Sequence, residues 1–216
     1  MKKTILLYGD SNFWGHDPES YACGRVERYE KERRVAGVLG RLMPDFDVVE
    51  EALCGRTTCL SEPTLPYRNG MDYFAACLDS HNPLDWVVIM LGTNDLQRCY
   101  TFTPAYSAIS MENYVKTVRS VAYARQGEPN ILLVSPPHIR NCVAQGEMGI
   151  FFDKSAPERS RQLAPLYAEV ARRYGCRFLD AAQWVRAGEK DGLHLDRENA
   201  AKLAQAICDA ITATPE

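Results

Sequence analysis

The sequence predicts an α/β fold in which a five-stranded parallel sheet lies between two layers of helices, as a three-layer sandwich. Five short apolar runs alternate with helical patterns along the chain, which is typical of parallel strands joined by crossover helices. Small polar residues follow the carboxyl ends of several of these runs. Open parallel sheets bind their ligands at that edge, so the sequence also predicts where a site would form.

The first strand is predicted over residues 4–8, because a continuous apolar run is typical of a parallel strand that is covered on both faces. A charge-rich stretch over 17–34 is predicted to be a surface loop, which is either solvated, a wall of the site or a contact with another subunit. Apolar residues at helical spacing predict a helix over 35–43, which Pro44 ends. A short second strand is predicted over 46–49.

Three prolines predict a loop over 60–68 before a helix over 70–81. The strongest strand pattern covers 84–91, and we expect this strand at the centre of the sheet because it is almost continuously apolar. The implied strand order is 2-1-3-4-5, as in flavodoxin-like folds. The remaining elements are predicted as a helix over 113–125, a strand over 131–134, a loop over 139–157, a helix over 158–174, a strand over 177–179, a short helix over 180–188 and a helix over 198–211.

Length and composition predict one globular domain over residues 1–216, with 46% hydrophobic and 25% charged residues. The net charge of −3 and the lack of a basic block argue against nucleic-acid binding. No apolar run is long enough for a membrane span or an export signal. The eight cysteines lack CxxC spacing, which predicts reduced thiols in a cytoplasmic protein without disulfides or a metal. We expect a small-molecule substrate and no cofactor.

Ser11 is the candidate nucleophile, because it follows the first strand directly in Gly9-Asp10-Ser11. The alternative is ordinary turn chemistry, in which all three residues are common. A serine hydroxyl needs a base within hydrogen-bond reach, normally a histidine oriented by a carboxylate. His194 and Asp191 are spaced so that one turn supplies both groups, although the same residues would also suit a turn that precedes a helix.

Acyl transfer also needs donors that stabilise the oxyanion of a tetrahedral intermediate. The backbone N–H groups of Ser11 and Gly55 and the side-chain amide of Asn94 are the candidates, since each follows one of the first three strands. Taken singly, Gly55 is explained by a bend and Asn94 by a helix cap. Their joint occurrence at successive strand ends favours the functional interpretation.

These residues resemble the four sequence blocks of the SGNH hydrolases, also called GDSL esterases. The blocks stand here as Gly9-Asp10-Ser11, Gly55, Gly92-Thr93-Asn94-Asp95 and Asp191-Gly192-Leu193-His194. The resemblance implies Ser11 as nucleophile, His194 as base, Asp191 as its orienter, and Ser11, Gly55 and Asn94 as oxyanion donors. It also implies a carboxylic ester hydrolase. Asn12 departs from the pattern, because it stands where the GDSL name has leucine.

Within that family the chain resembles mycobacterial arylesterases that also transfer acyl groups to alcohols in water. The similar segments are Glu50-Glu51, Arg56-Thr57-Thr58, Asn69-Gly70, residues 89–95 and Val134-Ser135-Pro136-Pro137. This resemblance implies a homo-oligomer, an octamer in that relative. It also implies short, acetyl-type acyl groups and an acyltransferase side activity.

Residues near the predicted site are candidates to line a substrate pocket. They are Asp10, Asn12, Trp14, His138, Phe151 and Phe152. Two enzymatic alternatives, a thioesterase and a lysophospholipase, would use the same triad. An alternative from another class is a flavodoxin-like module that binds a phosphate or nucleotide at Gly9-Asp10-Ser11-Asn12, but it gives Asp191 and His194 no role.

Overall fold

The computed structural model of the protein describes residues 2–20 and 26–214. Its centre is a five-stranded sheet with the order β2-β1-β3-β4-β5, in which all neighbouring strands are parallel. The predicted fold class and strand order are therefore confirmed. The strands are β1 (Lys3–Gly9), β2 (Phe46–Ala52), β3 (Trp86–Met90), β4 (Asn130–Ser135) and β5 (Arg177–Asp180).

Helices cover both faces of the sheet. The helices are α1 (Ser11–Trp14), α2 (Val35–Leu42), α3 (Gly70–His81), α4 (Pro104–Val121), α5 (Ala156–Arg161), α6 (Leu163–Tyr174) and α7 (Arg197–Thr212). On one face α2 packs beside α7, and on the other α4 packs between α3 and α6. The predicted three layers follow from this arrangement.

The two faces of the sheet are formed by alternate residues of each strand, because successive side chains of a strand point in opposite directions. In β1, Ile5 and Leu7 belong to the core beneath α2 and α7. Leu6 and Tyr8 belong to the core beneath α3, α4 and α6. All four side chains are fully buried, which explains why the sequence pattern of this strand is continuously apolar.

The fourth helix begins earlier than the sequence pattern predicts. We expected a helix over 113–125, whereas α4 begins at Pro104 and ends at Val121. Thr103 caps its N-terminus, and proline suits the first turn because its missing N–H would have no helical acceptor there. Tyr106 and Ile109 are large apolar residues on the exposed side of the first turns, and they obscured the apolar stripe.

Two further segments differ from the predicted elements. The helix expected over 158–174 is divided at Gln162 into α5 and α6, and Gly175 ends α6 in the left-handed conformation. The short helix expected over 180–188 is only a 3₁₀ turn, Ala181–Gln183. The loop over 139–157 contains two 3₁₀ turns and the start of α5. Residues 21–25 of the loop predicted over 17–34 lie outside the described residues.

No helix in the described part of the chain combines the length and the apolar character that crossing a membrane requires.

The central strand β3 should carry more of the stability than the edge strand β2. Ile89 is fully buried between its neighbours Tyr8 and Leu133, so Ile89→Ala should lower the free energy of unfolding by about 2–5 kcal/mol. Val49 of β2 is only half-buried, and Val49→Ala should cost roughly 1 kcal/mol. Urea denaturation of both variants checks this order, and equal losses would contradict it.

Candidate active site

The ends of the first three strands in the chain, β1, β2 and β3, bring three of the predicted blocks together. Gly9 at the end of β1 is in register with Ala52 of β2 and Met90 of β3. The turns that follow these strands carry Ser11, Gly55 and Asn94. The sheet therefore places the candidate nucleophile and the candidate oxyanion donors at one edge.

Ser11 is the first residue of α1, and the turn before it is tightly packed. Gly9 allows this turn, because a Cβ at that position would lie 2.6 Å from a ring carbon of Phe13. The Asp10 carboxylate caps the helix by accepting the Asn12 N–H at 3.0 Å. The N–H groups of a first helical turn have no acceptor within the helix, so the Ser11 N–H is available to a ligand.

Asp191 and His194 lie on one turn before α7, as the sequence predicts. Asp191 Oδ1 accepts the backbone N–H groups of Leu193 at 2.9 Å and His194 at 3.0 Å. Asp191 Oδ2 lies 2.6 Å from His194 Nδ1. The carboxylate therefore holds both the backbone of the turn and the imidazole ring.

His194 joins Asp191 to Ser11. Burial alone would raise the pKa of Asp191, but the hydrogen bonds and charge of His194 and the Leu193 N–H lower it to about 2. An ionised carboxylate only accepts hydrogen bonds, so the imidazole proton lies on Nδ1 and is donated to Asp191. His194 Nε2, which lies 3.0 Å from Ser11 Oγ, is then free to accept the serine proton. This is the geometry of a nucleophile, a base and an orienting group.

Asn12 links the nucleophile to the turn that carries the base. Its side-chain oxygen accepts the Leu195 N–H at 2.9 Å, and the residue is buried. This bond joins the same two segments as the bond between Ser11 and His194. The polar residue at the position where the GDSL name has leucine therefore positions the two halves of the site.

The Asn94 amide is oriented by bonds on both of its atoms. Its Nδ2 donates to the Arg56 carbonyl at 3.0 Å, and its Oδ1 accepts from Gln97 Nε2 at 3.1 Å. An amide nitrogen has two protons, so the second remains available to an oxyanion. Gly55 has a φ of +75°, a conformation that L side chains rarely adopt.

Two buried charged side chains hold these turns in place. Arg56 donates through Nη1 to the Gly9 carbonyl at 3.1 Å and to the Glu51 carbonyl at 2.6 Å. Asp95 accepts the Thr58 N–H at 2.8 Å and the hydroxyls of Thr58 and Ser107, each at 2.7 Å. Both connect the turn after β2 to a neighbouring strand end, so they fix the donors relative to Ser11.

A cavity of about 130 Å³ opens onto Ser11 and His194. Phe151 and Phe152, two of the candidate pocket residues, line this cavity and come from the loop after β4. Val26 also lines it, so the described part of the loop predicted over 17–34 does wall the site. The lining comprises Ser11, His16, Val26, Cys54, Gly55, Arg68, Asn94, Gln97, Met148, Phe151, Phe152, Leu193 and His194.

The structure places four predicted pocket residues elsewhere. Asp10 and Asn12 lie behind Ser11 and support it. Trp14 stacks on the Arg28 guanidinium, 4.9 Å from the ring centroid, rather than lining the cavity. His138 belongs to a separate depression beside Arg140, because Ile139 N–H donates to Ser160 Oγ and fixes this loop against α5.

His16 is not among the predicted pocket residues, yet it lines the cavity. Its ring stacks on His194 with centroids 3.9 Å apart. Burial and the charge of His194 lower its pKa to about 3, so His16 is neutral at physiological pH. Its position follows a turn and belongs to no periodic pattern, which leaves no sequence signal for this stacking.

Two groups of side chains in the described part of the chain have the spacing of metal ligands. One is His16, Asp191 and His194, in which Asp191 already binds the His194 ring. The other is Glu51, Cys77 and His81. Burial raises the pKa of the Cys77 thiol to about 12. His81 pairs with Glu51 at 2.8 Å.

Residues 7–200 match the model of the GDSL-like Lipase/Acylhydrolase family. The native M. smegmatis aryl esterase is 34% identical, with a TM-score of 0.89, and the match covers 97% of this chain and 98% of that one. Est24, a carbohydrate acetylesterase from Sinorhizobium meliloti, is 32% identical with a TM-score of 0.87 and the same coverage of both chains. No curated protein sequence matches the chain at a significant level.

The carboxyl group of Asp10 should make stability depend on pH. Burial raises its pKa to about 6, partly offset by the Asn12 N–H. Because the Asp10 carboxyl group binds its proton more tightly in the folded state than in the unfolded state, protonation stabilises the folded protein at low pH. This stabilisation is lost as the pH rises through about 6. Asp10→Asn keeps a capping oxygen but does not titrate.

Between about pH 4 and 7 the wild type should therefore lose on the order of 2 kcal/mol of unfolding free energy relative to this variant. Urea denaturation of both proteins at several pH values measures the difference, in which the other titrating groups cancel. A difference that stays constant over this range would contradict the raised pKa.

Proposed function

Because the chain belongs to the GDSL-like lipase/acylhydrolase family and is a carboxylic ester hydrolase, we propose that it cleaves short-chain acyl esters through a Ser-His-Asp triad and an acyl-enzyme. The observation that supports this proposal is the series of hydrogen bonds from Ser11 through His194 to Asp191. Ser11 and His194 of this series line a cavity. Each of these three side chains is buried, so their mutual geometry is defined by packing as well as by hydrogen bonds.

In the first half-reaction Ser11 Oγ attacks the ester carbonyl carbon while His194 Nε2 takes its proton. Asp191 stabilises the imidazolium that results, since its carboxylate already accepts the Nδ1 proton. The tetrahedral intermediate collapses with loss of the alcohol, which leaves with the proton from His194. Ser11 then carries the acyl group, and a water activated by the same imidazole releases it as the acid.

The negative charge of each tetrahedral intermediate falls on the former carbonyl oxygen. The backbone N–H groups of Ser11 and Gly55 and the second Nδ2 proton of Asn94 are the donors that we assign to it. Asn94 donates without reorientation, because Arg56 and Gln97 already hold its amide. Such preorganised donors account for a large part of the rate enhancement of acyl-transfer enzymes.

The cavity supports a preference for short acyl groups. Its volume of about 130 Å³ is below the 300–1,000 Å³ that is usual for drug-sized ligands. A lysophospholipase would need a long apolar trough, and a thioesterase would use the same triad on a different leaving group. The apolar walls formed by Met148, Phe152 and Leu193 also favour acyl transfer to alcohols, because they disfavour water near the acyl-enzyme.

Ser11→Ala should lower kcat/KM for 4-nitrophenyl acetate by at least about 10⁴-fold, because triad members act as a unit. Ser120→Ala is the matched control, since that hydroxyl is exposed and donates to the Thr117 carbonyl on α4. A serine-directed phosphonate should label the wild type and the control at Ser11 only, as read by mass spectrometry. Turnover by Ser11→Ala close to that of the control would refute the assignment.

Acetyl esters should react faster than octanoyl esters, because a small cavity excludes a long chain. Adding a primary alcohol should divert product from the acid to the new ester. Chromatography of both products across a series of 4-nitrophenyl esters measures the two effects. Equal acetyl and octanoyl turnover would refute the small acyl site, and product that stays entirely acid would refute the acyl transfer.

A further inference from the structure

Arg68 forms part of the cavity wall beside the candidate oxyanion donors. It ends the 3₁₀ turn Pro66–Arg68, and its carbonyl accepts the Thr57 N–H at 3.0 Å, which fixes its backbone to the turn after β2. The side chain folds back over Gly55. A Cβ on Gly55 would lie 2.8 Å from Cζ and 2.9 Å from Nε and Nη1 of Arg68, so the glycine is needed for this approach.

The guanidinium of Arg68 has no carboxylate partner among residues 2–20 and 26–214. No acidic oxygen in these ranges lies within 4.0 Å of its nitrogens, whereas Arg28 and Arg34 both pair with Glu50. Its Nε is buried and makes no hydrogen bond to the described residues. A partly desolvated cation of this kind is costly unless a partner compensates it.

The remaining lining gives Arg68 an unopposed positive charge. None of the described lining residues is acidic, and His16 is neutral because burial lowers its pKa to about 3. Burial raises the pKa of the Cys54 thiol to about 12, so that group is uncharged as well. A negatively charged group on the substrate would therefore meet the Arg68 guanidinium and no repelling carboxylate among the described lining residues.

We propose that Arg68 is a specificity-determining residue that selects esters carrying a carboxylate, which its guanidinium binds beside Gly55. This inference rests on the ester hydrolysis at Ser11 proposed above and names the substrate class for it. The planar guanidinium fork matches a carboxylate with two parallel hydrogen bonds. The small cavity keeps the carboxylate within a few bonds of the ester carbonyl, on either its acyl or its alcohol side.

Matched pairs of esters test this preference. Each pair consists of an ester that carries a carboxylate and a neutral ester in which an amide replaces it. On the alcohol side the pair is 4-acetoxybenzoate and 4-acetoxybenzamide, and on the acyl side it is monophenyl glutarate and phenyl glutaramate. The rate of uncatalysed hydrolysis is subtracted for every ester. In at least one pair, the ratio of kcat/KM for the carboxylate ester to kcat/KM for the neutral ester should be about ten or more for the wild type. One charge-assisted hydrogen bond contributes enough free energy for a ratio of this size. Added salt should reduce this ratio.

Arg68→Gln should reduce that ratio to about one or below, while Arg68→Lys should keep an intermediate ratio because the charge remains without the fork. Arg33→Gln removes the same charge from an exposed position and should keep the wild-type ratio. Because each variant is compared with itself on two esters, a general loss of activity cancels.

The two proposals fail in different ways. Ser11-dependent hydrolysis of the neutral esters with a ratio near one in both wild-type pairs would overturn the role of Arg68 alone. A preference that survives Arg68→Gln would overturn it too. If the wild type hydrolyses neither member of either pair, the proposed ester hydrolysis at Ser11 is itself wrong.

Discussion

The arrangement of the site depends on the two oxygens of the Asp191 carboxylate. One accepts two backbone N–H groups and so shapes the turn, and the other accepts the His194 Nδ1 proton. Because these bonds hold the carboxylate ionised, the tautomer of His194 is fixed with Nε2 facing Ser11. A single short side chain thus determines the backbone, the ring orientation and the proton position of the base.

The sheet provides the other half of the geometry. Parallel strands end at one edge, and the turns after β1, β2 and β3 are joined to each other by buried groups rather than by solvent-exposed contacts. Arg56 connects the turn after β2 to Gly9, and Asp95 connects the turn after β3 to Thr58. The candidate oxyanion donors therefore lie in turns that buried hydrogen bonds hold in place, as preorganised catalysis requires.

The sequence predicts that Ser11, Gly55 and Asn94 lie together at one edge of the sheet, because they follow strands whose apolar pattern is clear. Their spacing predicts that Asp191 and His194 share one turn, and in the structure His194 forms hydrogen bonds to both Asp191 and Ser11. Arg68 and His16 carry no such signal. They come from turns without periodicity, and long-range hydrogen bonds and stacking alone bring them to the cavity. The same lack of local information explains why α4 was predicted too short, since exposed apolar side chains in its first turns resembled loop residues.

The bonds from Ser11 to His194 and from Asn12 to Leu195 each span 183 residues. Forming such a contact in a disordered chain closes a very long loop, and ordering the intervening chain first shortens the loop that remains to be closed. During folding, the sheet and most helices can therefore be in place while the serine still lacks its base. Recovery of esterase activity would then report the docking of the segment before α7, a later event than the burial of the core that fluorescence or circular dichroism detects.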